Sequence, residues 1–411
     1  MNTAFISPQL YQIYQVKNVN KHALLELVRF ATGGISRADL ARKMGLSRAA
    51  ISSIVNDLLT TGILRETQRE ATSSGRPPIN LEINPRRGYV VGIDIGVTHM
   101  LMGVADFSAQ VLHEINIPFS IEQGPESGLA LVDKTLMALL SQAGIMIDSV
   151  LAIGVGVPGP VVAEKGAVSE PPVMPGWHNY PIRDHLESLW NCPVSLNNDA
   201  EMGALGEGAY GAGRGEDHLA YIKVGSGIGS GFLLNGRIYC GVSGSAGEIG
   251  HITVDPQGPV CTCGNRGCLE VFSGGQAIAQ LAQEAMRLNG RTQLSSLASI
   301  DQITAKDVAL AAQRGDLLAQ QILTRAGAHL GTAVANLINL LNPGMVVIGG
   351  GVSQIGDLFL EPIRKAVNER SLQAAVQNVR ITAAVLGQRS SLMGSVAQAI
   401  TISLHQLAET Q

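Results

Sequence analysis

Forty-three of the 48 glycines in this 411-residue chain lie beyond residue 85, and many of them directly follow short apolar runs that read as strands. Glycine lets a backbone turn with positive φ or approach another group closely. The segment must therefore fold into strands joined by tight turns, with no collagen period and no linker-like repeat. Twenty of the 48 fall between Gly203 and Gly275.

Charge divides the chain at the same place. Residues 1–87 hold 12 Lys+Arg against 6 Asp+Glu, and the remainder holds 17 against 27. That split predicts a basic module facing a polyanion, joined to an acidic body with another task. The length suffices for two or three domains with full cores. No apolar run approaches the length of a membrane span, and the first residues lack a signal-peptide core, so a cytoplasmic protein without membrane insertion is expected.

In the basic module, Leu24, Leu27, Val28 and Ala31 form a helical stripe ended by Gly33-Gly34. Ser36 offers an N-cap to a helix stopped by Gly45, and Ser47 caps another stopped by Gly62. Ile51, Ile54, Val55, Leu58 and Leu59 make the buried face of this last helix. Arg48, Ala49, Ser52, Ser53 and Asn56 stay outside, where small and amide side chains can lie against base edges and Arg48 can reach phosphate or guanine. Runs at 63–65 and 79–83 read as two strands of a wing whose tip, 72–78, would carry Arg76 into a minor groove. Arg37 and Ser47 complete the predicted DNA-facing set. The plainer alternative is a small helical interaction domain with a basic surface.

In the body, Tyr89–Phe107 and Tyr221–Phe232 are both strand, glycine turn and strand, which suggests an internal duplication. Their turns could hold phosphate on backbone N–H groups, with Asp94 orienting a hydrated Mg²⁺ and Thr98 or Ser226 donating a hydroxyl. The candidate cofactor residues are Asp94, Gly96, Thr98, Gly225, Ser226, Gly227, Gly229 and the run Gly349, Gly350 and Gly351. Tight hairpins need glycine anyway, which is the alternative for each run taken singly.

His251, Cys261, Cys263 and Cys268 supply four borderline-soft ligands at short spacing, the set that a structural Zn²⁺ takes. Four protein ligands leave no open position, so this metal would shape the fold rather than catalyse. Glu248 and Glu270 flank the cluster, and the strand around Leu196 delivers Asn198 and Asp199 to the start of a helix. Asp199 reads either as an N-cap or as a general base for a hydroxyl that attacks phosphorus; Asn198, Glu248 and Glu270 would bond other hydroxyls of a polyol. Residues 166–182, with Met174 and Trp177, read as a specificity loop or a surface linker.

Together, Asp94-Ile-Gly-Val-Thr98, Gly225-Ser-Gly-Ile-Gly229, Gly247-Glu-Ile-Gly-His251 and Cys261-Thr-Cys-Gly-Asn-Arg-Gly-Cys-Leu-Glu270 make the chain resemble the ROK family of repressors and sugar kinases. The resemblance spans about Asn18 to Met393 and is closest to long members with an N-terminal winged helix. It implies a winged helix-turn-helix followed by an α/β actin-like, two-lobed ATPase and sugar kinase fold with a structural zinc site. The implied domains are 1–85, then 86–195 joined by a C-terminal helix at about 388–411, then 196–387. The family pattern puts sugar contacts on Asn198, Asp199, Glu248, His251 and Glu270, gives His251 a second duty as zinc ligand, and makes Asp199 the base in members that are kinases. The first turn departs from the kinase pattern, with His99 where lysine is usual and Ser226 where threonine is usual in the second.

The expected function is a sugar-responsive transcriptional repressor of carbohydrate genes, a homodimer or homotetramer on operator DNA, with a sugar or sugar phosphate as effector. The alternative is an ATP- and Mg²⁺-dependent sugar kinase, or a repressor that retains that activity. Relief of repression by a regulatory protein partner is neither favoured nor excluded by any residue.

Overall fold

A computed structural model describes residues 16–68, 79–169, 174–288 and 292–409. Helix α1 (Val16–Arg29) buries Leu24, Leu25 and Val28. After it, β1 (Ile35–Ser36) leads into α2 (Arg37–Met44), where the Ser36 side chain accepts from the Asp39 N–H and Gly45 closes the helix with φ 65°. Ser47 accepts from the Ala50 N–H to start α3 (Arg48–Thr60), which buries Ile51, Ile54, Val55 and Leu58. Leu59 packs against the same core but is only half-buried. Strands β2 (Leu64–Gln68) and β3 (Ile79–Ile83) pair antiparallel with Leu64 opposite Ile83. β1 adds to the other side of β3, a two-residue pairing too short to show periodicity in sequence. The predicted tip at 72–78, including Arg76, lies outside the described residues.

The body is built twice on one plan. Its first half runs β4 (Tyr89–Ile95), β5 (His99–Asp106), β6 (Val111–Pro118), α4 (Gly124–Ala143), β7 (Val150–Val157), a small β8–β9 ribbon (Val161–Val162 and Ala167–Val168), α5 (Ile182–Trp190) and β10 (Val194–Asn198). Helix α6 (Asp199–Tyr210) leads into the second half. This comprises β11 (Leu219–Val224), β12 (Ile228–Leu234), β13 (Arg237–Ile238), α7 (Glu270–Ser273), α8 (Gly275–Arg287), α9 (Ala305–Gln313), α10 (Leu317–Leu341), β14 (Met345–Gly349), α11 (Asp357–Arg370), α12 (Gln373–Val376) and β15 (Arg380–Ala383); α13 (Ser390–Glu409) closes the chain.

The two sheets have the orders β10-β7-β4-β5-β6 and β13-β12-β11-β14-β15. In each, three antiparallel strands are followed by two parallel ones, so β4 and β11 hold equivalent places. Each sheet has its own apolar core. Helix α13 lies across β4 and β7 and along α6. The α6–α13 approach is backbone to backbone: a Cβ on Gly206 would collide with the Ser390 carbonyl and sit 2.8 Å from the Gly394 nitrogen. A third core joins α1, α2 and α3 to Val90, Phe107, Ile400 and Leu404, so the N-terminal module is seated on the body rather than hung from a linker. Trp177 is fully buried, with its indole N–H donating to the Ile121 carbonyl at 2.9 Å, and Met174 is buried beside it. These two residues of the 166–182 segment are therefore core anchors, not parts of a surface linker. No described helix is long and apolar enough to cross a membrane.

Candidate functional site

The start of α6 sits at the mouth of the cleft between the sheets. Here Asn198, not Asp199, is the N-cap: its side-chain oxygen accepts from the Ala200 and Glu201 N–H groups at 2.8 and 3.2 Å, and its amide donates to the Gly159 carbonyl at 3.0 Å. Asp199 is thereby released from capping. Its Oδ2 instead accepts from Lys223 Nζ at 2.8 Å, and the same ammonium lies 3.7 Å from Asp94 Oδ1 across the cleft. Burial opposes the Lys223 charge, but Asp199 and Asp94 outweigh it and hold the lysine above its ordinary range. Burial pushes the Asp94 carboxyl up even so, with Lys223 opposing. Sequence reading missed Lys223, although a lysine inside the otherwise apolar run Leu-Ala-Tyr-Ile-Lys-Val was the available signal.

Two further carboxylates face this point. Glu270 Oε2 accepts from the Ile228 N–H at 2.9 Å and rests directly on Gly227, where a Cβ would collide with it. Glu248 is pushed up by burial, with Asp199 and Glu270 adding and His251 opposing, which places all four in one electrostatic neighbourhood. Glu201, also unforeseen, is buried against Cys240; burial raises both groups, the thiol to about 12.

The ligand atoms of His251, Cys261, Cys263 and Cys268 lie within 4.8 Å of one another. Turns carry them there: the Cys261 N–H donates to the Asn265 carbonyl at 2.7 Å and the Gly264 N–H to the Cys261 carbonyl at 2.9 Å. A tetrahedral site with metal–sulfur bonds of about 2.3 Å and metal–nitrogen bonds of about 2.0 Å requires edges of roughly 3.8 Å and 3.5 Å. The observed Cys263–Cys268 sulfur separation is 3.7 Å and His251 Nδ1 lies 3.6 Å from Cys261 Sγ. The donor set fits a metal ion.

Beside the carboxylates a cavity of about 720 Å³ is lined by Asp94, Thr98, His99, Lys223, Gly225, Ser226, Lys306, Gly350 and Gly351, among others. Gly96, Gly227, Gly229 and Gly349 are not part of that lining. Gly349 instead makes room for the Tyr221 ring and Gly229 for Ala200. The glycine surplus thus serves close protein packing as much as ligand-facing backbone.

In the N-terminal module Ser47, Arg48, Ala49, Ser53 and Asn56 are exposed and Ser52 is half-buried. Arg37 is half-buried, 2.6 Å from Glu66 of β2 and 3.3 Å from Asn56, and so links α2 to α3 and the strands. Arg29, at the end of α1, donates to Thr401 Oγ1 at 2.7 Å, the Tyr210 hydroxyl at 2.7 Å and the Ala397 carbonyl at 2.9 Å. Tyr210 ends α6, the helix that Asp199 begins.

The ROK family model matches residues 90–402. The chain belongs to the ROK family. This ROK chain is 32% identical to a xylose repressor of Caldicellulosiruptor bescii over 94% of its own length and 96% of that protein. Its fold matches a ROK family transcriptional regulator described as a homologue of the E. coli MLC protein, with TM-score 0.81, 28% identity and coverage of 96% and 98%. A ROK glucokinase from Streptomyces griseus, solved with glucose and AMPPNP, matches with TM-score 0.68 and 31% identity, over 99% of that chain but 76% of this one.

Proposed function

We propose that this chain is a sugar-responsive transcriptional repressor in which residues 1–85 form a winged helix-turn-helix on operator DNA. Residues 86–195 with the C-terminal helix, and residues 196–387, form two lobes around a sugar or sugar phosphate. The observation that carries this reading is α6: Asp199 opens it inside the carboxylate cleft, and Tyr210 closes it against Arg29 of the DNA-reading module. Support also comes from the xylose repressor and the MLC-like regulator, which this chain matches nearly end to end.

In this reading Arg48 contacts phosphate or guanine, while Ala49, Ser52, Ser53 and Asn56 meet base edges. Asn198, Asp199, Glu248, His251 and Glu270 receive the sugar hydroxyls. Zn²⁺ fills the His251, Cys261, Cys263 and Cys268 site; with Nδ1 turned to Cys261, the Nε2 of His251 is the nitrogen left to face sugar. By fixing that imidazole, the metal would set the shape of the cleft. A homodimer would place two α3 helices on half-sites one helical turn apart. The sugar would shift a two-state equilibrium by binding the DNA-free arrangement more tightly.

Fluorescence anisotropy on the chain's own upstream DNA tests the reading, with xylose, glucose, N-acetylglucosamine and their phosphates as titrants. A loss of DNA affinity of tenfold or more with one sugar supports it. Unchanged affinity with every sugar, or no DNA binding at all, refutes it.

A further inference from the structure

The fold family implies Mg²⁺ and ATP for members that transfer phosphate, and the residues between the two cleft carboxylates do not fit a divalent cation. We propose that Lys223 is a tethered cation standing in for a divalent metal between Asp94 and Asp199, so that this cleft takes its ligands without Mg²⁺ and does not transfer a phosphoryl group.

The duplicated architecture supplies the first argument. Asp94 and Lys223 lie two residues before the hairpin glycines Gly96 and Gly225 of the equivalent strands β4 and β11. Register agrees, since Asp94 is paired with Gly156 of β7 and Lys223 with Gly349 of β14, each near the end of its parallel pairing. One half therefore presents an anion and the other a cation at matching positions, and the two side chains meet across the cleft at 3.7 Å.

The space between the two carboxylates is also occupied. Lys223 Nζ is 2.8 Å from Asp199 Oδ2, 3.7 Å from Asp94 Oδ1 and 3.5 Å from Ser391 Oγ, and Ser391 Oγ in turn donates to the Asp199 carbonyl at 2.7 Å. Asp94 is 2% exposed and its Oδ1 has no hydrogen-bond partner, so the ammonium is the compensating charge within reach. A Mg²⁺ ion binds carboxylate oxygen at about 2.0–2.1 Å and keeps several of its waters. Those waters and a second positive charge would have to share the space that the ammonium fills. Lys223 likewise engages Asp199 Oδ2, so it is the other carboxylate oxygen that is left to accept a sugar hydroxyl.

The proposal deepens the sensor reading and rests on it for its biological meaning, but its test contains neither sugar nor DNA, so the two can fail separately. Mn²⁺ alone is titrated into the zinc-loaded full-length protein at pH 7.5, and free Mn²⁺ is followed by electron paramagnetic resonance. Wild type should show no Mn²⁺ site of submillimolar affinity. Lys223→Met and the smaller Lys223→Ser should each gain one site, at least tenfold tighter than any in wild type, and Lys223→Arg none. The gained site should vanish in the Lys223→Ser/Asp94→Asn double variant. In parallel, 5 mM Mg²⁺ should raise the melting temperature of Lys223→Ser by several degrees and leave wild type within one degree. A submillimolar site in wild type that Asp94→Asn removes overturns the proposal, and needs no Lys223 variant to fold. A folded Lys223→Ser that gains no site also overturns it.

Discussion

Arg29→Met keeps the aliphatic stem and removes the guanidinium that fastens α1 to α6 and α13. The Arg29 side chain is 4% exposed, so the loss is not made good by solvent. Its three acceptors do not suffer equally. The Thr401 hydroxyl already donates to the Ala397 carbonyl at 3.1 Å, so that pair retains a bond to each other. The cost therefore concentrates on the Tyr210 hydroxyl. A hydrogen bond with a charged donor contributes about 1.5–3 kcal/mol, and the Glu26 contact at 3.8 Å, with Glu26 35% exposed, adds less than about 1 kcal/mol. Arg29→Met should thus destabilise by about 3 kcal/mol and Tyr210→Phe by about 1.5–2 kcal/mol. Urea unfolding of both single variants and the double variant closes a double-mutant cycle, with an expected coupling of about 1.5 kcal/mol. If the two losses add to within about 0.5 kcal/mol, the guanidinium–hydroxyl bond carries no energy. Then α6 is not fastened to the N-terminal module, and the proposed route from cleft to operator is lost.

Cys268→Ser should reduce zinc from one equivalent per chain to substoichiometric levels in a chromogenic chelator assay, and should weaken sugar-induced release of DNA because His251 loses its anchor. Gly206→Ala forces a methyl group into the Ser390 carbonyl, where neither helix backbone can yield cheaply; overpacking of about 2–3 kcal/mol should lower the melting temperature by about 2–4 °C. Arg48→Ala should weaken DNA binding across all sequences and reduce the salt slope by about 1, whereas Asn56→Ala should relax discrimination at one base pair. His22 and His405 stack with ring centroids 4.0 Å apart between α1 and α13. Burial, then His405, lowers His22 from 6.5 to about 4, with Glu409 opposing and Lys21 adding; burial and then Arg29 lower His405. The unfolded chain then binds more protons than the folded one between pH 6.5 and 4, so this stability is complete above pH 6.5 and lost as pH falls through that window, by up to about 3 kcal/mol. Thermal melts from pH 7.5 to 4.5 check this, and His22→Phe should flatten the profile.

What was legible in the sequence was what is local. The Ser36 and Ser47 caps, the Gly45 stop and the two glycine hairpins depend on residues a few positions apart, and each sits where the sequence put it. The four candidate metal ligands were legible for the same reason, three of them falling within eight residues. What a glycine faces was not legible. Gly227 against Glu270, Gly349 against Tyr221 and Gly206 against Ser390 are contacts between distant segments, and sequence offers no means of telling them from phosphate turns. Asn198 and Asp199 are both good caps, and only the path of β10 decides between them. Lys223 and Asp94 are 129 positions apart, and their meeting follows from stacking two copies of one sheet plan, which no local pattern announces.

Helix α6 also has a mechanical consequence. Its 12 residues span about 18 Å at 1.5 Å per residue. A tilt of 10° pivoting at Asp199 would swing Tyr210 through about 3 Å, a whole hydrogen-bond length. Tyr210 is held to Arg29 at 2.7 Å, so a tilt of that size must either drag α1 along or break the fastening. Because α1 shares an apolar core with α2 and α3, dragging it would move those two helices with it. In the proposed dimer, a tilt of that size at the cleft would carry two half-site readers out of register with a double helix whose grooves keep a fixed pitch.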